Sequence, residues 1–491
     1  MKLRSVRAHL ALIFIGVTMS NTVFAEKSAP KFGYVPTTFP RDVALVNQFA
    51  EHVVLGQILE PLVDADRNGN LTTGIAESWK VSQDGKSIVF KIGEGHQFSN
   101  GKPVQAKDVK FSLDRHLHEK TQSSNFVRAI KEVKVKSLLE VEIVLSEPNV
   151  SILKALTRDH LGIVPEGWKF DSSAEEPIIG SGAYRLKRKG PKWFLVKNDL
   201  YSKKSNISIP EWELVFYKNE AFDLPEGILP DYVPVATNLV VEELKALATK
   251  QKMPLTTEEQ FGFAQTSLWW YPHGAHYRNA DIKSRAMTFL TELVERKTEE
   301  KKLQRATGIV PVGVAGFLPE PLKFDSKNQT QHTGPKKKLG LAGLGNAFAF
   351  LFEGDIAKQL ATKHGLEIEF YTFTPSELAT IKNRKPDVVM ASWAGGFNDP
   401  EGFLPLLNQV LGVDFIEYLE DLKPIYQAAR VEQDWTKRSE LFREFNKKIV
   451  LQKRMVPGWK LNTFSVAKSG LGEEKVGFRY TPRLSNVKRI N

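Results

Sequence analysis

Residues 339–371 read LGLAGLGNAFAFLFEGDIAKQLATKHGLEIEFY, and this stretch decides the fold class. The apolar run 339–342 predicts a strand, and a helix is expected from just after Gly345 to about His364. The alternating segment 366–371 predicts a second strand. Strands that alternate with helices are typical of parallel sheets covered by helices. The chain is therefore predicted to be an α/β protein.

Other segments on both sides of this stretch also have a clear period. Apolar side chains four residues apart predict a helix around Val109 and Leu113. Trp212 and Leu214 alternate with glutamates, as in a half-buried strand. Further elements are predicted as strands at 87–92 and 387–390, and as helices at 281–296 and 435–449.

The first 25 residues have the pattern of a cleavable secretory signal. A basic start without acidic residues leads into the apolar run 10–17, and Val23 and Ala25 supply the small residues at −3 and −1. Spanning a bilayer takes about 20 apolar residues, so a membrane anchor is disfavoured. Cleavage is expected after Ala25, and no later segment is long and apolar enough to span.

The mature chain of 466 residues predicts two or three packed units. Its net charge of +8, after the signal removes three of the +11, is dispersed among acids along the chain. The one dense basic run, 336–338, is interpreted as solvated surface, and no nucleic acid partner is expected. With no cysteine, the exported protein has no disulfide and no residue for a lipid anchor.

Two glycine motifs superficially suggest chemistry. Gly343 and Gly345 resemble the start of a dinucleotide fingerprint, but Phe348 occupies the position where that fingerprint needs glycine, so no such cofactor is expected. Gly180 and Gly182 flank a serine too closely for a nucleophile elbow. They are predicted instead to make a backbone bend with positive φ.

His273 and His276 are the remaining candidates for a metal site. Pro272 and Gly274 argue against the helix that would bring the two imidazoles together, and no third ligand is nearby. A chance pair in a loop is favoured. No Ser/His/Asp set or carboxylate pair can be assembled, so neither a metal nor an enzymatic activity is predicted.

Five blocks occur in a fixed order at 58–63 (Ile-Leu-Glu-Pro-Leu-Val), 74–79 (Gly-Ile-Ala-Glu-Ser-Trp), 84–86 (Asp-Gly-Lys), 98–103 (Phe-Ser-Asn-Gly-Lys-Pro) and 106–112 (Ala-Lys-Asp-Val-Lys-Phe-Ser). Together they resemble extracytoplasmic solute-binding protein family 5, the oligopeptide, dipeptide and nickel-type receptors of ABC importers. More diffuse matches at 177–184, 279–286 and 393–404 extend the resemblance over nearly the whole mature chain.

The resemblance implies a two-lobed α/β clamp, a type II periplasmic binding protein with an extra subdomain in its first lobe. A ligand would bridge the lobes and stabilise the closed state. The implied ranges are signal peptide 1–25, first lobe 26–265 plus 464–491, extra subdomain about 58–170, second lobe 266–463, and crossings near 264–271 and 454–463.

Aromatic side chains on the closing surfaces suit apolar or planar ligand groups. Adjacent strand residues face opposite ways, so at most one indole of Trp269 and Trp270 is expected in the cleft, and the alternative is that either lies in the core. The predicted ligand-binding residues are Trp393, Gly396, Phe397 and Asn398 on the cleft loop, and Trp269, Trp270 and Tyr271 at the first crossing.

Gly396 departs from the family pattern. Peptide-binding members usually carry an aspartate at the matching position, which pairs with the free amino group of the peptide. A cationic amine taken from water needs such a compensating anion. Capture of a peptide by its amino terminus is therefore in doubt, and this departure favours a non-peptide solute as the ligand.

The resemblance implies a periplasmic receptor that delivers a peptide or peptide-like ligand to an inner-membrane ABC permease. It is expected to be a monomer, without cofactor and without a lipid anchor. One alternative is another solute on the same clamp, such as a nickel chelate, haem or an opine. The other is an exported hydrolase acting on cell-wall peptides.

Overall fold

In a computed structural model of the chain, the described residues are 28–36, 38–46, 49–66, 68–118, 124–203, 205, 207–217, 227–236, 238–260, 264–322, 332–344, 351, 355–373, 375–394, 399–472 and 481–489. The predicted signal peptide lies outside these ranges. Within them, none of the helices combines the length and apolar character that a membrane crossing requires.

The first part of the chain opens a large sheet and then enters a small antiparallel one. The elements are β1 Lys31–Pro36, α1 Phe49–Ile58, β2 Val63–Ala65, β3 Leu71–Thr73, β4 Ala76–Val81, β5 Ser87–Ile92, α2 Ala106–His118, α3 Ser124–Val127, β6 Ile130–Ser137, β7 Glu140–Leu145 and α4 Ile152–Ala155.

The chain then returns to the large sheet, crosses to a third sheet, and comes back. These elements are β8 Tyr184–Lys189, β9 Lys192–Lys197, β10 Glu211–Tyr217, β11 Tyr232–Ala236, α5 Asn238–Gln251, β12 Leu255–Gln260, β13 Ala264–Trp270, α6 Ala280–Lys301, β14 Lys337–Leu344, α7 Ile356–Lys363, β15 Leu366–Phe373, β16 Val388–Ala394, α8 Leu404–Leu411, α9 Phe415–Tyr418, α10 Lys423–Val431, α11 Trp435–Leu451, β17 Met455–Lys460, β18 Thr463–Lys468, β19 Leu471–Gly472 and β20 Lys488–Arg489.

The seven-stranded sheet, in the order β12-β18-β11-β1-β10-β9-β8, is the centre of what we call the first lobe. β1 lies between β10 and β11 and is parallel to both. In β10, Trp212 and Leu214 point into a buried cluster, whereas Glu211 and Glu213 form ion pairs with the last residue of β8 and the first residue of β9, both lysines. This is the alternation that a half-buried strand requires.

The extra subdomain is a four-stranded antiparallel sheet, β4-β5-β7-β6, covered by α2. Val141, Ile143 and Leu145 alternate along β7 and are buried. Val109 and Leu113, one turn apart on α2, join them in a single hydrophobic cluster. The apolar residues of the strand and of the helix therefore face the same core, and the predicted helix is confirmed.

The five-stranded sheet, β15-β14-β16-β13-β17, is the centre of the second lobe. β14 is parallel to β15 and β16, so the predicted strand–helix–strand unit is confirmed. Its helix ends at Lys363, while the predicted helix start after Gly345 lies outside the described residues. Separate apolar cores cover the two faces of this sheet.

The glycines before β8 differ from the prediction in one respect. Neither Gly180 nor Gly182 has positive φ. Each instead passes so close to α1 that an added Cβ would lie 2.2 Å from the Ile58 carbonyl oxygen at Gly180 and 2.5 Å from the Ile58 carbonyl carbon at Gly182. The prediction of a positive-φ bend was wrong, and the glycines are required by close backbone approach.

Candidate ligand cleft

The chain passes between the two sheets twice, once between the end of β12 at Gln260 and the start of β13 at Ala264, and once between the end of β17 at Lys460 and the start of β18 at Thr463. The first lies just before the predicted crossing at 264–271, because all of β13 already belongs to the second lobe. The second lies inside the predicted crossing at 454–463. The lobe ranges predicted from the sequence are carried forward as a proposal.

Strand directions show which edges of the sheets these connections join. β12 runs parallel to β1, so Gln260 lies at the carboxyl edge of the first sheet, where it pairs with Thr463. Ala264 pairs with Ala394 at the carboxyl end of β16, and Lys460 ends β17 at the same edge. The carboxyl edges of both sheets are therefore joined side by side. Open α/β sheets bind ligands at this edge, so the gap between the two edges is the candidate cleft.

Two ion pairs organise the first-lobe side of the cleft, directly after β1. Arg41 donates from Nε and Nη2 to the two carboxylate oxygens of Glu51, at 2.8 and 2.7 Å. Arg115 donates to Oδ1 of Asp42 at 2.5 Å, and Asp42 also caps the following turn through the Ala44 N–H at 3.0 Å. The bidentate geometry orients the segment between β1 and α1.

Three buried imidazoles meet behind these ion pairs. His52 of α1 and His160 have ring centroids 4.4 Å apart, and His116 of α2 is 6.3 Å from His160. Arg158 donates from Nε to His160 Nε2 at 3.2 Å. Burial, and then the positive charge of Arg158, lower the pKa of His52 and of His160. The imidazoles are therefore neutral at neutral pH and join the first lobe to the extra subdomain.

The second-lobe side is anchored where the chain resumes after the cleft loop. Asp399 accepts two hydrogen bonds from Arg438 of α11, from Nε and Nη2, both at 3.0 Å. Its Oδ1 also accepts the Glu401 N–H at 3.0 Å, which fixes the turn at Pro400. The carboxyl end of the loop is thus fastened to the core of the second lobe.

Glu401 is buried beside this anchor. Its side chain accepts a hydrogen bond from the Tyr426 hydroxyl, and Arg430 Nε lies 3.3 Å from its Oε2. Burial raises the pKa of Glu401, and the neighbouring Asp399 charge acts in the same direction, against the opposing effect of Arg430. The carboxyl group is held by these neighbours in the second lobe, and Asn149, after β7, also donates to its Oε2 at 3.4 Å.

The predicted ligand-binding residues fall into two groups. Gly396, Phe397 and Asn398, with the side chain of Trp393, lie outside the described residues, so that part stays a prediction. The other group is buried in the second lobe: Trp269 and Tyr271 point into one core, and Trp270 points into the other.

Both indoles therefore lie in the core, the alternative weighed from the sequence for Trp269 and Trp270, and Tyr271 is buried in the same cluster as Trp269; a role of these residues in ligand binding stays a prediction. The reason is register. The lobes are joined before Ala264, so the far end of β13 lies at the edge away from the cleft. There Trp269 pairs with Met455 and Val389, Trp270 pairs with Val388, and Tyr271 follows directly after the strand.

Sequence reasoning missed the charged anchors, although one signal was present. Arg438 lies four residues before Phe442 and seven before Phe445, on the apolar stripe of α11. A charged residue on a core-facing stripe needs a buried partner, because an unpaired buried charge is costly. Asp399 could not be identified as that partner, since the two residues are 39 positions apart.

A separate cavity of about 190 Å³ lies at the opposite edge of the first lobe. It is lined by Ala183, which precedes β8, and β8 runs parallel to β1. The start of β8 marks the amino edge of the sheet, so this cavity is remote from the cleft. Glu60, Asp64, Lys203 and Arg483 give it mixed charge.

These features define the class: a two-lobed α/β protein with its cleft between sheets joined by two short connections, as in extracytoplasmic solute-binding proteins. Residues 70–221 match the family model described as bacterial extracellular solute-binding proteins, family 5 Middle. The resemblance to family 5 predicted from the sequence is confirmed.

Curated relatives agree over more of the chain. The periplasmic murein peptide-binding protein MppA of Escherichia coli is 22% identical over 443 residues, which span 81% of this chain and 81% of MppA. The probable D,D-dipeptide-binding periplasmic protein DdpA of the same organism is 22% identical over 528 aligned positions, spanning 97% of this chain and 98% of DdpA.

A solved structure shows the same fold. The murein tripeptide binding protein MppA in its unliganded open form superposes with a TM-score of 0.73 at 18% identity, covering 95% of this chain and 98% of the MppA chain. The predicted two-lobed periplasmic-binding-protein fold is confirmed.

Proposed function

We propose that this protein is a periplasmic receptor that holds a peptide or peptide-like solute between its lobes and delivers it to an inner-membrane ABC permease. The observation that carries the proposal is the meeting of two carboxyl sheet edges across two short connections. A solute that contacts both edges favours the conformation in which the lobes are together. The peptide class is supported by the names of the relatives MppA and DdpA.

The charges around the cleft favour binding over catalysis. Arg41 with Glu51 and Arg438 with Asp399 are paired side chain to side chain. Within the described ranges, no group of three or more metal-binding side chains is assembled. Charged groups already committed to partners suit a rigid binding surface, and we propose that the protein performs no chemistry on its ligand.

The glycine at position 396 favours a second candidate function, in which the ligand is not an ordinary peptide. A ligand with a free ammonium group needs an anion in the cleft, and glycine at this position supplies none. This favours a solute without that requirement, such as a blocked peptide or a chelate, on the same clamp.

Native mass spectrometry of protein purified from periplasm without refolding tests both candidates. A retained mass of a few hundred daltons, lost on unfolding, is expected, on a polypeptide that begins at Glu26. Fragmentation of the retained molecule distinguishes a peptide from a chelate. A polypeptide that still carries residues 1–25 would contradict the proposed export.

Trialanine is the matched solution probe. Binding at a hundredfold excess over Kd stabilises the folded state by about 2.7 kcal/mol, which raises the melting temperature. The tripeptide should be recovered intact after prolonged incubation. Hydrolysis of trialanine by the pure protein, lost on a single substitution, would replace the receptor with the hydrolase alternative.

A further inference from the structure

The extra subdomain touches the second lobe directly, at a contact that we call the seam. On the subdomain it consists of residues 147–151, between β7 and α4, and of Lys154, whose Nζ lies 5.1 Å from the centroid of the Trp435 ring. Asn149 Nδ2 donates to Glu401 Oε2 at 3.4 Å. Ser151 Oγ accepts a hydrogen bond from Arg438 Nη2 at 3.0 Å, and Glu147 Oε1 accepts one from Arg430 Nη1 at 2.8 Å. The Val150 N–H donates to the Arg430 carbonyl at 3.2 Å.

The bonds of the seam are unequal in a way that permits separation. Arg438 keeps two hydrogen bonds to Asp399 within the second lobe, so parting the surfaces does not leave its buried charge unpaired. Ser151 donates to Asn149 Oδ1 at 2.6 Å, within the subdomain. What must be exchanged for water is a small set of bonds, each with a modest net free energy.

The seam also reaches the cleft. Arg438 joins Ser151 on one side to Asp399 on the other, and Asp399 follows directly on the loop 395–398 that carries the predicted ligand contacts. A change in the seam is therefore passed to the anchored end of that loop through a single guanidinium group.

We propose that Ser151 and Glu147 are positioning residues, which hold the extra subdomain against the second lobe and so set the fraction of molecules whose lobes are together. The inference rests on the proposed function, in which that fraction determines the apparent affinity for the solute. Neither residue needs to touch the ligand.

The separation across the seam can be measured without any ligand. The chain has no cysteine, so Gln83→Cys and Lys437→Cys place the only two spin labels on the full mature protein. Lys437 precedes Arg438, and Gln83 lies in the hairpin whose Gly85 packs on Pro148, where an added Cβ would be 3.2 Å away. Pulsed electron paramagnetic resonance then reports the distance distribution.

Ser151→Ala and Glu147→Lys should each lengthen and broaden this distribution, the first by removing the acceptor of Arg438 and the second by opposing Arg430 with a like charge. Glu147 is an exposed side chain, so its replacement should leave the fold intact. Ser151→Thr, which keeps the hydroxyl, should restore the parent distribution.

Ser112→Ala is the matched control. Ser112 is equally buried and makes hydrogen bonds of similar length to Asp108 and Val164, away from the seam. It should lower the melting temperature without moving the labels. Unchanged distances in Ser151→Ala and Glu147→Lys would overturn the proposal, whatever their melting temperatures.

The distance readout separates this inference from the proposed function. Failure of the parent protein to retain any solute would count against the receptor, whereas failure to bind trialanine alone would favour the second candidate on the same clamp. A seam that responds to Ser151→Ala in the ligand-free protein would stand regardless of that result.

Discussion

Arg438 and Asp399 form an ion pair in which neither side chain has any exposed surface. The two hydrogen bonds, both 3.0 Å, are parallel donations from one guanidinium edge to both carboxylate oxygens. Such a pair costs desolvation to form, yet losing one partner is worse because the other is left buried and charged. The pair therefore fixes the end of the cleft loop. Because each charge depends on the other, replacing either residue alone is expected to destabilise the fold more than replacing both.

Replacing Arg438 with methionine should lower the free energy of unfolding by about 3–5 kcal/mol, since Asp399 is left uncompensated. The double variant Arg438→Met/Asp399→Leu should recover much of that loss. Urea unfolding followed by circular dichroism measures both. Lys437→Met, on the exposed side of the same helix, should change stability by about 0.5 kcal/mol or less. A double variant as unstable as the single one would contradict this account.

The histidine cluster predicts acid sensitivity. Burial, followed by the charge of Arg115, lowers the pKa of His116 to about 4. The unfolded chain titrates near pH 6.5, so below that pH it binds more protons than the folded state does. Stability is complete above pH 6.5 and falls as the pH decreases toward 4. At pH 5 the loss from His116 alone should be about 2 kcal/mol, and His52 and His160 add to it.

His116→Gln should flatten this dependence, because a neutral amide has no proton to gain. The measurement is the difference in unfolding free energy between pH 7.5 and pH 5, in parent and variant. Asp42, Glu51, Arg41 and Arg158 also surround the cluster and are unchanged between the two proteins, so the difference isolates the imidazole. Equal slopes in the two proteins would exclude His116 as the acid-sensitive group.

Close backbone approach predicts an asymmetry between two glycines. An added Cβ at Gly180 would lie 2.2 Å from a carbonyl oxygen of α1, which cannot move without shifting the helix. An added Cβ at Gly93 would lie 3.3 Å from the ring of His96, a side-chain contact that a shift of a few tenths of an ångström relieves. Gly180→Ala should lose about 3 kcal/mol and Gly93→Ala less than about 1 kcal/mol, as overpacking costs suggest. Comparable urea midpoints for the two variants would refute the steric reading.

Tryptophan fluorescence separates the two groups of predicted ligand contacts. Trp270 is buried in the second-lobe core, so Trp270→Phe should keep any quenching produced by a bound solute. Trp393→Phe should abolish or strongly reduce that quenching if the cleft loop holds the ligand. Trialanine titration of parent and variants is the measurement. Quenching retained in Trp393→Phe but lost in Trp270→Phe would reverse the proposed assignment.

The fold could be predicted from the sequence where the period of the apolar residues matches the face of the element that packs into the core. Alternation around Trp212 and the spacing of Val109 and Leu113 each describe one face of one element, which local residues decide. The site was less accessible because it depends on which distant segments meet. The apolar sequence 264–270 predicts a buried strand, but it does not show which of its residues lie near the cleft. Only the pairing with 388–394 shows that Trp270 lies far from the cleft.

The two connections between the lobes leave one sheet as neighbouring strands, through the pairing of Gln260 with Thr463. Two adjacent attachment points define a line, and rotation about a line moves each atom in proportion to its distance from it. Groups beside the connections hardly change position, whereas groups far from them sweep a wide arc for the same angle. A solute bound near this axis would therefore keep nearly the same contacts in the open and closed conformations. Only a solute bound far from the axis would make different contacts in the two conformations.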